Sequence, residues 1–204
     1  PEGGNCMEKK IITISREFGS GGHAIAELLS KKFELPFYDR NLLDEIANEK
    51  SLNRKELEQY DEVPKKRLLS RTVRGFSNSP EENIANLQFD YIRKMAESGK
   101  SFVIVGRCAE KVLKECEGLV SIFVLGDMEC KIKRTQEVRG ITREQAEAVI
   151  YRHDKHRKSY HNYYCPGKWG DSRNYDISIN SSRLGLEGTA DLLETYIKER
   201  IKKA

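Results

Sequence analysis

Apolar residues along this chain fall into short continuous runs that alternate with stretches of helical spacing. Residues 11–14 form the first run, rich in β-branched side chains, and read as a buried strand. The run passes straight into Ser15-Arg16-Glu17-Phe18-Gly19-Ser20-Gly21-Gly22. Ile25, Leu28 and Leu29 then recur with helical spacing up to Phe33. A second short strand is expected over residues 35–38, ending at Asp39-Arg40. Strand, glycine-rich turn, helix and strand in that order make a βαβ unit.

Residues 41–99 read as helical, with no convincing strand. Leu42, Leu43 and Ile46 share one face of a first helix. The pattern weakens over residues 61–78, a basic, polar stretch punctuated by Pro64, Gly75 and Pro80, where mobility is expected. The next helix has clear start signals: Ser79 as cap, Pro80 at the first position and Glu82 completing a capping box. Ile84, Leu87, Tyr91, Ile92 and Met95 line one side of it until Gly99, and read as core. Further buried strands are expected at residues 102–105 and 120–125, ending in Gly106-Arg107 and Gly126-Asp127. Thr142 and Gln145 form a second capping box, a last strand spans residues 176–179, and Leu192, Leu193, Tyr196 and Ile197 mark a closing amphipathic helix. Five short strands separated by helices predict an α/β fold, a parallel sheet covered on both faces. No internal repeat is visible.

Composition narrows the class. A chain of 204 residues with 38% hydrophobic content suits one substantial domain, here residues 7–204. Residues 1–6, ahead of Met7, read as an appended remnant. No apolar run approaches the roughly 20 residues that span a bilayer, and no charged leader precedes an apolar segment. Five cysteines with no C-x-x-C spacing argue for free thiols and a cytoplasmic location. The net charge of +4 is mild, but residues 129–158 hold nine Lys or Arg against five acidic residues. A solvated helical face is the ordinary fate of such a run; a nucleotide-triphosphate site would give it a purpose.

The glycine-rich turn carries the chemistry. Placed between a strand and a helix, such a turn exposes successive backbone N–H groups to a helix N-terminus of positive potential, which is a cradle for phosphate. Gly19, Gly21 and Gly22 leave no side chain between peptide groups and ligand. Ser15, Gly19, Ser20, Gly21, Gly22 and His23 are therefore the candidate residues for binding the triphosphate. The turn departs from the P-loop pattern G-x-x-x-x-G-K-[ST]. With Arg16 to Gly21 on the first six positions, Gly22 stands in place of the lysine and His23 in place of the magnesium-binding Ser/Thr. Another cation must supply the charge, and Arg16 is the nearest.

The run from Ile12 to Gly22, continued by Pro36-Phe37-Tyr38-Asp39-Arg40, resembles the opening of the cytidylate kinase-like family. Gly106-Arg107-Cys108-Ala109, Arg134, Lys155-His156-Arg157 with Tyr160, Tyr163 and Tyr164, Lys168-Trp169-Gly170-Asp171 and Tyr175 to Asn180 extend the resemblance, in order, over nearly the whole chain from Lys10. It implies a P-loop nucleoside monophosphate kinase fold, with a helical substrate-binding insertion at residues 41–99 and a lid at 140–164. It also implies ATP with Mg²⁺ as cofactor and a pyrimidine nucleoside monophosphate, CMP or dCMP, as acceptor. The lost lysine is a feature of this branch.

Phosphoryl transfer needs cations around the transferring group and an acceptor held in line. Asp39 and Arg40 end a parallel strand, where α/β sheets present ligand-binding side chains; by resemblance Asp39 faces the acceptor nucleoside. Arg107, ending the third strand, could clamp the acceptor phosphate through its planar fork. Arg134 resembles the family arginine facing the phosphates, whereas Asp127 is read as a helix N-cap. Arg152, Asp154 and Arg157 cannot share one helical face, but Asp154 and Arg157, three apart, can. That spacing favours Arg157 as the lid cation, held by Asp154. Arg16, Arg134 and Arg157 are thus the candidate catalytic residues, and Asp39, Arg40, Arg107, Arg152 and Asp154 the candidate acceptor contacts. Magnesium would fall to Ser15, Ser20 or Glu17.

His153, His156 and His161 with Cys165 lack further ligand spacing for a tetrahedral site, so they are read as polar lid or surface residues and no metal site is assigned. Tyr160, Tyr163, Tyr164 and Trp169 read as packing of the lid base, with base stacking the alternative. Three functions are carried forward in order: kinase, a nucleotide-binding or sensing protein without turnover, and an RNA-binding protein. A second copy of the chain is admitted as a partner.

Overall fold

The computed structural model describes residues 9–63, 72–73, 76–77 and 79–203. A five-stranded, all-parallel sheet forms the centre, built from β1 (Ile11–Arg16), β2 (Phe37–Tyr38), β5 (Phe102–Val105), β6 (Leu119–Leu125) and β7 (Ile177–Asn180), in the order β2-β5-β1-β6-β7. β1 is the middle strand, pairing Ile11–Ile14 with Phe102–Val105 on one side and Ile11–Arg16 with Leu119–Val124 on the other. Burial on both faces explains why β1 and β5 are continuous apolar runs rather than alternating ones.

The period-two pleat sorts these strands into two cores. Ile11, Phe102 and Ile104 face one side, against Leu42, Leu43 and Ile46 of α2 (Leu42–Lys50) and Ile84, Ile92 and Met95 of α4 (Pro80–Glu97). Ile12, Ile14, Val103, Val105 and Ile122 face the other, against Ile25 and Leu29 of α1 (Gly22–Phe33) and Leu193 and Ile197 of α8 (Gly185–Ile201). Fully burying each such aliphatic side chain is worth about 1.5–3 kcal/mol. Val103 and Ile122, expected at the centre, are both fully buried.

The remaining helices are α3 (Arg54–Glu58), α5 (Ala109–Val112), α6 (Met128–Arg139) and α7 (Arg143–Tyr164). α7 starts on the expected capping box, with Thr142 and Gln145 bonded reciprocally. α4 starts on Ser79 and Pro80 as expected, but the Ser79 hydroxyl donates to Glu81 at 2.6 Å and makes no cap bond. Asp127 is the N-cap of α6 without a side-chain cap bond, because its carboxylate takes Asn180 instead. The expectation of no strand within residues 41–99 is corrected by a small antiparallel hairpin, β3 (Thr72–Val73) with β4 (Phe76–Ser77). Unlike β2, announced by the apolar run at residues 35–38, these two strands fall in a stretch without a readable pattern. The remnant at residues 1–6 and most of the stretch expected to be mobile lie outside the described residues. Among the described residues no helix is long and apolar enough to cross a membrane.

Candidate active site

β1 delivers Arg16 at its C-terminal end, and the turn that follows bends the chain into α1. Gly19 and Gly21 lie at φ +78° and +80°, the left-handed region. A side chain on Gly19 would meet the Lys131 carbonyl and the Thr135 hydroxyl, and one on Gly21 would meet Leu186 and the Arg134 guanidinium. One on Gly22 would meet the Arg16 side chain, so glycine stands in the lysine position because Arg16 packs across it. The first-turn N–H groups of α1 have no intrahelical acceptor and sit at the positive end of the helix dipole. Turn and helix start together fit the phosphates of a nucleotide.

The turn opens onto a cleft of about 690 Å³ lined by Arg16, Gly19, Gly21, Gly22, His23, Asp39, Arg40, Arg134, Arg139 and Arg157. Arg157 donates to the Arg16 carbonyl at 3.3 Å. Its guanidinium and that of Arg139 lie 5.6 and 5.0 Å from the Phe18 ring, while His153 stacks on that ring at 4.3 Å. Burial and the neighbouring Arg16 push Arg157 down to about 10. Burial, Arg157, Arg139 and Arg152 push His153 down to about 4. Burial is the larger cause of both shifts, and the neighbouring arginines add to it.

The acceptor end is built from carboxylates. Asp39, just after β2, accepts from Arg107 Nη1 at 2.9 Å and lies 2.8 Å from His23 Nδ1. Although burial opposes it, His23, Arg16 and Arg107 hold its carboxyl far below the usual range. Arg107 Nη2 donates to Asp61 at 2.9 Å. Gly106, Arg107 and Cys108 are three successive left-handed residues, at φ +76°, +56° and +53°. Such a run turns backbone N–H groups toward an anion. The Arg107 N–H donates to Glu62 at 3.1 Å, and Arg16 Nη1 reaches the same oxygen at 3.4 Å. An added Cβ on Gly106 would strike both Glu62 and Arg16. A second cavity of about 200 Å³, lined by Arg16, Asp39, Asp61, Glu62, Arg107, His156 and Arg157, adjoins this cluster.

The structure thus gathers Arg16, Gly19, Gly21, Gly22, His23, Asp39, Arg40, Arg134 and Arg157 around one cleft. Ser20 shapes the turn, its hydroxyl donating to the Glu17 carbonyl at 2.9 Å. Arg107 is 1% exposed and lies beneath the cleft, holding Asp39. Ser15 departs from expectation, since its hydroxyl turns away to Glu110 at 3.2 Å. Arg152 is exposed and does not line the cleft. Asp154 does not hold Arg157; it accepts from the Phe18 N–H at 2.6 Å and from Lys131 at 2.8 Å. Lys131 also reaches Glu17 at 3.1 Å, and Ser20 is committed within the turn rather than offered to magnesium. Lys131, Asp61 and Glu62 were not singled out by sequence reasoning. The first looks like any exposed helical lysine, and the other two sit in a stretch without pattern.

Residues 11–183 match the sequence profile of the cytidylate kinase-like family. The chain belongs to that family. Membership carries a phosphotransferase role, and the P-loop kinase fold agrees with it. A solved structure of an uncharacterised protein from Eubacterium ventriosum is 38% identical, covers 93% of this chain and 99% of its own, and superposes with a TM-score of 0.75. Shikimate kinase from Bacteroides thetaiotaomicron (12% identity, 93% and 98% coverage, TM-score 0.55) shares the fold, as does a sugar kinase from Janibacter (14%, 96% and 98%, 0.54). Comparison with curated proteins returns no match. Within the family's frame the aromatic residues of the lid base are packing elements. Tyr160 is buried, Tyr164 meets Phe89 edge-on, and Trp169 meets Phe123 edge-on at 5.4 Å.

Proposed function

We propose that this chain transfers the γ-phosphoryl group of ATP to a pyrimidine nucleoside monophosphate, with CMP or dCMP as acceptor. The observation that carries the proposal is the single cleft joining the glycine turn to Asp39 through a wall of arginines. The turn and the start of α1 hold the donor phosphates; Arg134, against Gly21, and Arg157, against Arg16, neutralise them. Asp39 and Arg40 orient the acceptor, the insertion at 41–99 contributes Asp61 and Glu62, and residues 140–164 act as the lid. ATP would bring magnesium with it; Glu17 and Asp39 are carboxylates lining the cleft, each already bonded to a neighbouring cationic side chain, and either would hold the ion through water. The pyrimidine preference rests on the family's name.

A second reading, nucleotide binding without turnover, is favoured by the absent lysine and by the carboxylates that already occupy Arg16 and Arg107. The RNA-binding reading loses its main support because the aromatic residues are packed inward. A coupled assay of ADP formation against a panel of nucleoside monophosphates tests the proposal. Turnover highest with CMP or dCMP is expected. Calorimetric binding of ATP with no ADP formed on any acceptor would leave the second reading standing.

A further inference from the structure

Outside the lining of the cleft, the start of α5 and the end of α7 bring together a set of side chains that the transfer of a phosphoryl group does not use. Glu110, His161 and Cys165 are all buried, and one ligand atom from each lies within 4.8 Å of the others. His161 lies in the last turn of α7 and Cys165 is its C-cap, its N–H donating to the His161 carbonyl at 2.8 Å. His161 Nε2 lies 2.9 Å from Glu110 Oε1, while Nδ1 is buried without a hydrogen-bond partner in a residue only 5% exposed. The other Glu110 oxygen accepts from Ser15 at 3.2 Å, the kind of outer partner that orients a ligating carboxylate. Cys108 packs in the same buried cluster as Cys165. All four cysteines among the described residues are free thiols.

We propose that Glu110, His161 and Cys165 bind one divalent ion of the zinc class, its fourth position left to solvent, and so fasten the end of α7 to the turn that carries Arg107. A thiolate, imidazole and carboxylate set is soft enough to select zinc over magnesium or calcium. Zinc bond lengths and tetrahedral angles place neighbouring ligand atoms about 3.3–3.8 Å apart, so the cluster needs only modest contraction. Binding forms metal–sulfur, metal–nitrogen and metal–oxygen bonds, and the proton held by the Cys165 thiol passes to solvent; no oxidant or reductant is involved. A cavity of about 680 Å³ that includes Glu110, His161 and Cys165 in its lining gives the ion a path in from solvent. His161 and Cys165 drew attention in the sequence, but Glu110 lies 51 positions from His161 and follows no ligand spacing, so the set could not be completed there.

The test uses the full chain, stripped with a chelator under reducing conditions and reloaded with zinc or cobalt(II). One equivalent of zinc per chain by mass spectrometry is expected, and cobalt should give thiolate charge-transfer and tetrahedral d–d absorption. C165S and H161N should each weaken zinc binding by roughly a hundredfold, S15A by about tenfold, and C130S, at an exposed cysteine, should leave it unchanged. Zinc should raise the melting temperature of the parent protein and not of C165S. The cobalt spectrum of the parent chain needs no variant to fold. Substoichiometric zinc, a cobalt spectrum without thiolate bands, or a Cys108–Cys165 disulfide formed in preference to metal binding would each overturn the proposal.

Discussion

Asp154 on α7 accepts a hydrogen bond from the Phe18 backbone N–H at 2.6 Å, and its other oxygen holds Lys131 at 2.8 Å. α7 is therefore tied to the glycine turn by a carboxylate that also balances a buried ammonium group. The Lys131 side chain is 4% exposed, and its second partner is Glu17 at 3.1 Å. Removing one member of such a cluster leaves charge without compensation. D154A is expected to lose about 3 kcal/mol of stability in urea unfolding. D154A/K131M should recover most of that loss, since the stranded charge goes with the lysine. A double variant no more stable than D154A would show that packing, not charge, sets the cost.

Gly21 and Gly99 share the left-handed conformation, at φ +80° and +77°, but differ in surroundings. A side chain on Gly21 meets Leu186 and Arg134, whereas one on Gly99 has nothing within 4 Å. Both alanine variants should lose roughly 1–2 kcal/mol to backbone strain. Only G21A should lose ATP affinity, by about tenfold or more in calorimetry, because its methyl group displaces the arginine beside the phosphates. Equal ATP affinity in the two variants would remove the turn from the binding site.

Much of the scaffold was legible because its signals are local. Continuous apolar runs marked β1 and β5, and the spacing of Thr142 and Gln145 marked the start of α7. The glycines and Arg16 could be placed on one turn for the same reason. What escaped was decided by distant partners. Ser15 alternates to the far face of β1 and finds Glu110 there, and Asp154 is claimed by Lys131 from a neighbouring helix. Arg107 could be placed at a strand end, but not its burial, which depends on Asp39, Asp61 and three successive left-handed residues. The β3–β4 hairpin falls in a stretch without a readable pattern.

His153 gives a pH test. Its folded pKa is near 4, lowered by burial and by Arg157, Arg139 and Arg152, against about 6.5 in an unfolded chain. The folded protein keeps this ring neutral where the unfolded chain takes up a proton, so acid favours unfolding. Above pH 6.5 the ring has no effect on stability; between about 6.5 and 4 its contribution falls as pH falls. H153F keeps an aromatic stack on Phe18 without the titration. The difference in unfolding free energy between parent and H153F should shift against the parent across that window and level off below it. A difference that stays constant from pH 7 to 4 would place His153 at an unperturbed pKa.

Arg16 is the side chain we propose supplies the charge of the absent lysine. Its stem packs over Gly22, the lysine position, and its guanidinium reaches Glu62 at 3.4 Å and Asp39 at 4.0 Å. It thus lies between the glycine turn and the carboxylate cluster. Backbone N–H groups of the turn can hold a phosphate but cannot follow one as it moves; a long cationic side chain can. Glu62 is the anion that occupies Arg16 and the Arg107 N–H in the meantime, a place an incoming phosphate would take over. Steady-state kinetics with ATP and CMP separate the roles. R16A should lower kcat by roughly ten- to a thousandfold with little change in the KM for CMP, and R16K should restore part of it as a point charge. E62Q, which loosens the competing anion, should lower the KM for CMP while leaving kcat near the parent value. If R16A turned over at the parent rate, the charge on the transferring group would have to be met by Arg134 and Arg157 alone, and Arg16 would be a structural partner of Glu62.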